Sequence, residues 1–290
     1  MKFTKMHGIG NCYLYFNCFE EPVDNPAELS VRLSDVHFGV GSDGIILIEP
    51  SSIADCKMDI YNADGSRGKM CGNGIRCVGK YVYDHGIVKK DVITVETLSG
   101  VKTLYLNIQD GAVQTVRVDM GRPILTPAEI PVKLPGDQII NQMVKIENER
   151  TVKPIHAHIT CVSMGNPHCV VFEDYVDVGK FPLEDFGPKF ECDPLFPEGV
   201  NTEFVNVLND HEVRMRVWER GSGETWACGT GACAVAVACA LNGRTGRRVL
   251  VHLRGGDLEI EWEDASGTVW MTGPAAFICD CECQPEELGL

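Results

Sequence analysis

Cys71-Gly72-Asn73-Gly74 and Cys228-Gly229-Thr230-Gly231 are two copies of one pattern, 157 residues apart, and each opens a run of small and apolar residues. The offset holds on both sides of the pattern. Met58-Asp59-Ile60-Tyr61-Asn62 stands against Met215-Arg216-Val217-Trp218-Glu219, Gly86 against Gly243, and Val92 against Val249. A constant offset maintained this far marks an internal duplication. It predicts two similar modules, each presenting one thiol at a helix start, with a site between them.

Reading outward, the first pattern predicts a helix over 72–85, with Ile75, Val78 and Val82 on one face and Gly86 placed to end it. The second predicts a helix over 229–241, almost wholly Ala, Val and Cys, ended by Asn242-Gly243. A helix apolar all round must be buried on every side. Upstream, each half begins with a Gly-Asn and an apolar strand, 13–16 after Gly10-Asn11 and 169–172 after Gly165-Asn166. A further strand is expected over 45–48, after the glycine-rich turn Gly39 to Gly44. Downstream, hairpin signals such as Ser99-Gly100 and Asp110-Gly111 separate strands over 92–97, 101–108 and 113–120. Strands over 249–253, 258–262 and 269–271 repeat that meander, and the polar stretch 123–153 reads as a crossover. The expected fold class is α+β: two pseudo-symmetric modules, each a mainly antiparallel sheet wrapped around a central buried helix.

Composition narrows the function. A length of 290 residues gives room for two domains, each with its own core. A formal charge of −15 argues against nucleic acid or an anionic membrane as partner. Met1 to His7 lacks the apolar core of a signal peptide, and the longest apolar run, Ala232 to Leu241, is too short to span a bilayer. The 14 cysteines lie in a chain larger than a disulfide-stapled secreted domain and without an export signal, which points to reduced thiols in a cytoplasm, and the absence of any Cys-x-x-Cys pair points to neither a zinc ribbon nor a thioredoxin-type redox centre. Cys279, Cys281 and Cys283 alternate along an expected last strand and would share a face, at a spacing unlike a standard metal site. No dinucleotide fingerprint, phosphate loop or cofactor lysine motif is visible, so a cofactor-free reaction on a small molecule is expected.

A thiol just ahead of a helix lies near unpaired N–H groups and the positive end of the dipole, so its pKa is expected to fall. The glycines after it let an anion reach the same N–H groups. Two such starts facing one bound carboxylate could invert its α-carbon, one thiolate removing a proton and the opposite thiol returning another. Because the α-C–H is weakly acidic, donors must hold the growing charge on the carboxylate, each worth about 3 kcal/mol.

Four further motifs, with the two cysteine motifs extended, point to a family. Met6-His7-Gly8-Ile9-Gly10-Asn11, Asn62-Ala63-Asp64-Gly65-Ser66, Met164-Gly165-Asn166-Pro167-His168-Cys169, Glu219-Arg220-Gly221-Ser222-Gly223-Glu224-Thr225 and the two cysteine motifs extended to Cys77 and Cys233 together resemble diaminopimelate epimerase. The resemblance spans nearly the whole chain, with the motifs in the right order. It implies interconversion of LL- and meso-diaminopimelate on the route to lysine and peptidoglycan, without pyridoxal phosphate or metal. Carried over, Cys71 and Cys228 become the acid–base pair, assisted by His168 and Glu219. Gly72, Asn73, Gly229 and Thr230 become the grip on the reacting carboxylate. Asn11, Asn62, Asn166, Asn201, Glu219 and Arg220 become the polar surround of the substrate, including its distal amino-acid end. The resemblance also implies a homodimer, and a last strand returning to the first module. The modules are then 1–122 plus 274–290, carrying Cys71, and 123–273, carrying Cys228. Gly44, where many members have glutamine, Cys12, where an acidic residue is usual, and Trp226 depart from the pattern. They keep open a racemase of another amino acid, such as histidine. A thiol redox or metal-binding protein is the rival from another class.

Overall fold

The computed structural model describes residues 1–284; residues 285–290, the tail of the expected first module, lie outside them. The chain divides into two compact units, Met1–Asp119 with the chain from Thr272 onward, and Met120–Met271.

In the first unit β1 (Lys2–Gly8) and β2 (Asn11–Asn17) form an antiparallel hairpin. Its turn is made by Ile9 and Gly10, at φ 48° and 90°. The half therefore begins one strand earlier than its Gly-Asn. Lys2, Lys5 and His7 break the apolar alternation of β1, and only its Phe3 and Met6 are buried hydrophobics. Then comes α1 (Pro26–Ser34), where Asn25 in the left-handed region and Pro26 at the first position start the helix. Leu29, Ser30 and Leu33 form its buried side, and the Ser30 hydroxyl caps the carbonyls of Tyr61 and Asn62. β3 (Gly44–Glu49) runs parallel to β2 and antiparallel to β4 (Cys56–Asn62), whose end pairs with the short β5 (Arg67–Gly68). After α2 (Gly72–Asp84), β6 (Val92–Thr97) lies parallel to β4. β7 (Gly100–Gln109) and β8 (Ala112–Asp119) complete the expected meander. α2 packs tightly on it: a Cβ on Gly79 would come within 3.0 Å of Leu104 Cδ2.

The second unit opens with β9 (Gln142–Ile146), β10 (Ile155–Ser163) and β11 (Pro167–Phe172), joined antiparallel, so here too a strand precedes the Gly-Asn turn. β9 lies inside the expected crossover. α3 (Leu183–Glu191) carries Gly187 and Pro188 in its body, both poor helix formers, and its sequence alone argues against a helix. Close packing requires that glycine, because a Cβ there would come within 2.3 Å of the Trp218 ring. β12 (Asn201–Asn209) is parallel to β11 and antiparallel to β13 (Glu212–Glu219), which pairs with β14 (Gly223–Glu224). α4 (Gly229–Leu241) follows, then β15 (Arg248–Leu253), parallel to β13, and β16 (Gly256–Trp262), antiparallel to β15. β17 (Val269–Pro274) runs across the division, and β18 (Ala276–Glu282) pairs antiparallel with β1 in the first unit.

Parallel, antiparallel, parallel is thus the pairing order in both units, through β2, β3, β4, β6 and through β11, β12, β13, β15. The fold is α+β, as the duplication predicts. In the second unit the apolar core includes Ile159, Val171, Phe190 and Phe204, and α4 is buried from Ala232 through Cys239. Leu14, Phe16, Leu29, Leu33 and Ile45 fill a core of the first.

Candidate active site

Each cysteine caps its helix. In the first unit Cys71 has extended backbone, φ −130° and ψ 118°, and its sulfur accepts the Gly74 N–H at 3.4 Å. Extended geometry is what a capping residue adopts while its side chain turns back to an unpaired N–H of the first turn. The half-buried thiol donates to Asn11 Oδ1 at 3.3 Å. Asn11 is fixed from behind, its amide donating to Asp43 Oδ2 at 2.8 Å, which also accepts the Cys12 N–H at 2.7 Å. Burial pushes the Asp43 carboxyl up, and those two donors pull it partly back. Tyr13 stands beside the same sulfur, its phenol pushed well up by burial first and by the nearness of Cys71 second. Gly72 and Asn73 are buried at the helix start. Asn62, at the end of β4, closes a turn: its amide donates to Ser66 Oγ at 3.0 Å.

In the second unit Cys228 repeats the cap, φ −119° and ψ 105°, with the Gly231 N–H donating to its sulfur at 3.4 Å. Its thiol meets Thr230 Oγ1 at 3.5 Å. Thr230 accepts the Asn166 amide at 3.3 Å, and Asn166 Oδ1 faces His168 Nε2 at 3.0 Å. On its other side His168 Nδ1 lies 2.6 Å from Glu203 Oε1, both side chains fully buried. Glu219 accepts from the Thr225 hydroxyl. Burial pushes its carboxyl up, against the pull of Thr225, Cys228 and His168. Asn201 Oδ1 accepts the Arg220 N–H at 2.8 Å, and the Arg220 guanidinium donates to the Glu198 carbonyl at 2.7 Å.

One electrostatic expectation is corrected here. A helix start was expected to lower the thiol's pKa, yet Cys228 is pushed well above the ordinary thiol value. Burial is the main cause, followed by the carboxylates of Glu219 and Glu203; Thr230 and the Gly231 N–H pull it down by less. At rest, Cys228 holds its proton and is suited to give it.

Within the first unit the structure brings Asn11 to Cys71; within the second it joins Asn166, His168, Glu219 and Thr230 to Cys228. Asn201 is tied to the backbone beside Glu219. Four members of these networks were not among the expected site residues: Tyr13 and Glu203 near the sulfurs, and Asp43 and Thr225 behind Asn11 and Glu219. Glu203 left a readable signal, an acid between Thr202 and Phe204 in a stretch that is otherwise strand-like. Asp43 was hidden by its turn, where aspartate needs no other reason to occur. Among the described residues no group of three or more His, Cys, Asp or Glu side chains is placed to hold a metal ion.

Comparison with known proteins places the chain in a family. The family described as diaminopimelate epimerase matches residues 3–126 and 160–278. A diaminopimelate epimerase of Agathobacter rectalis is 57% identical over 279 residues, covering 96% of this chain and 97% of its own. One of Acetivibrio thermocellus is 54% identical over 288 residues, covering 99% and 100%. Among crystal structures, a hydroxyproline epimerase of Agrobacterium vitis superposes with a TM-score of 0.68 at 15% identity, covering 98% of this chain and 90% of its own, a likeness of fold. With two capped thiols in repeated units and matches over nearly its whole length, this chain belongs to the diaminopimelate epimerase family and is an isomerase.

Proposed function

We propose that the chain interconverts LL- and meso-diaminopimelate by proton transfer between two cysteines, as a step in making lysine and peptidoglycan precursors. The observation that carries this reading is the repeated cap, one sulfur at the N-terminus of α2 and one at that of α4, each with glycines behind it. One thiolate takes the α-proton, and the other thiol delivers a proton to the opposite face. Cys228, held protonated by burial and by Glu219 and Glu203, is the acid in one direction and returns as base in the other. The N–H groups at the starts of the helices, from Gly72, Asn73, Gly229 and Thr230, hold the carboxylate as charge grows on it. This chemistry uses only groups of the chain. Asn11, Asn62, Asn166, Asn201, Glu219 and Arg220 surround the substrate; its distal end carries an ammonium and a carboxylate, for which Glu219 and Arg220 have the complementary charges. His168 and Glu219 assist the proton transfers. Diaminopimelate as substrate is supported by relatives of that name at 50% identity or more across nearly full length. We place the enzyme in the cytoplasm as a homodimer, the latter checked by sedimentation.

Solvent deuterium incorporation tests the reading. In D2O the wild type should label the α-carbon of diaminopimelate and not those of histidine or proline. Cys71→Ser and Cys228→Ser should each lower kcat about 10²- to 10⁴-fold, the usual worth of a positioned acid or base. Full activity in either variant, or labelling confined to another amino acid, would overturn it.

A further inference from the structure

Glu203 puts a carboxylate where the repeat elsewhere uses hydrocarbon. In the first unit Tyr15 of β2 pairs with Ile46 of β3, and a Cβ on Gly74 would come within 2.6 Å of Ile46 Cδ1. In the second, Val170 of β11 pairs with Glu203 of β12, and a Cβ on Gly231 would come within 2.7 Å of Glu203 Oε1. Positions 46 and 203, like 74 and 231, are related by the 157-residue offset. Packing beneath the helix start is therefore satisfied by an isoleucine. A carboxylate in that place carries a desolvation penalty that only a good partner offsets.

Its partner is His168, with Oε1 and Nδ1 2.6 Å apart. Glu203 Oε2 has no hydrogen-bond partner among the described residues, so the imidazole bears the pairing alone. Both facing oxygens accept, so in this geometry Nδ1–H donates to Glu203 Oε1 and Nε2–H donates to Asn166 Oδ1, the ring carrying both protons. The chain continues through the Asn166 amide to Thr230 Oγ1 at 3.3 Å, and from that hydroxyl to Cys228 Sγ at 3.5 Å. Four contacts thus connect the buried carboxylate to the thiol. The same register puts Tyr13 and Asn11 where the second unit has His168 and Asn166, and there Asn11 touches the sulfur directly.

We propose that Glu203 is a positioning residue for epimerisation: it fixes the Nδ1 proton of His168 and, through Asn166 and Thr230, orients the Cys228 thiol. This rests on the two-thiol reading above. A second effect is electrostatic. The groups facing Cys228 are Glu219 from β13, Glu203 from β12 and the N–H groups of α4, with His168 of β11 bearing on Glu219. The two carboxylates oppose ionisation of the thiol.

Two variants test it. Glu203→Gln keeps size and acceptor and removes the charge; Glu203→Ile installs the residue that the first unit uses. For Glu203→Gln we expect kcat to fall at least about 10-fold with KM little changed, as when a carboxylate behind a catalytic histidine is neutralised. The alkaline limb of kcat/KM should move to lower pH, one of two opposing charges being gone. The low-field Nδ1 proton resonance of His168 should move upfield in Glu203→Gln and vanish in Glu203→Ile. Glu203→Ile should keep a near wild-type unfolding midpoint while losing at least as much kcat. Wild-type kcat and an unmoved alkaline limb in Glu203→Gln would overturn the proposal. If the wild type labels no diaminopimelate, the substrate reading falls by itself, and the His168 resonance still decides: unchanged between wild type and Glu203→Gln, it overturns the role of Glu203.

Discussion

At the scale of single residues, the two thiols share a cap and differ in company. Cys71 has an amide and a phenol beside it, Asn11 and Tyr13. Cys228 has carboxylates, an imidazole and a hydroxyl in its network. On the proposed two-thiol reading the pair holds one proton between them and titrates as a unit, and the second loss ends activity. Burial with two nearby carboxylates raises the loss from Cys228. The alkaline limb of kcat/KM should accordingly lie above the ordinary thiol value of about 8.5. A pH–rate profile in reductant checks this, and a limb at or below that value would count against a protonated resting Cys228.

At the scale of elements, tight approach overrides intrinsic preference, and α3 is the sharpest case. Replacing Gly187 by Ala should gain up to about 1 kcal/mol of helix propensity. The added methyl would meet the Trp218 ring, already fixed by its Nε1 donating to Glu191 Oε2 at 2.7 Å. Overpacking costs about 1–3 kcal/mol, so the substitution should be net destabilising. Urea unfolding decides it; an equal or higher midpoint would mean the ring yields. The same conflict explains what the sequence hid. α2 and α4 were legible because small residues at helical spacing coincide with their caps, whereas α3 was obscured by a glycine and a proline that only its packing against Trp218 justifies. β1 was obscured because lysines and a histidine interrupt a strand paired on both sides, with β2 and with β18.

At the scale of the whole molecule, buried thiols bind stability to pH. Burial pushes Cys56 to about 12 and Cys77 to about 11 in the first unit, and Cys239 to about 12 in the second. A folded-state pKa raised above the unfolded one gives stability that is complete below the unfolded value and is lost as pH climbs toward the folded value. Each such thiol should therefore remove about 1.4 kcal/mol per pH unit above about pH 8.5. Denaturant unfolding in reductant across that range should show a steep alkaline decline, shallower by one proton in Cys77→Ala. A flat profile would mean that these thiols ionise equally well when folded.

The sequence by itself determined the duplication, both helix starts with their cysteine caps, and the order of most strands. Those rest on local spacing, small residues and caps, which act along the chain. Only the tertiary structure decided which polar groups stand behind each sulfur. Glu203 and His168 are 35 residues apart and meet because β11 and β12 pair in parallel with Val170 opposite Glu203. The tertiary structure also decided that burial and those carboxylates outweigh the helix start at Cys228. Desolvation and Coulomb terms depend on distance and enclosure, and neither is written in the order of residues.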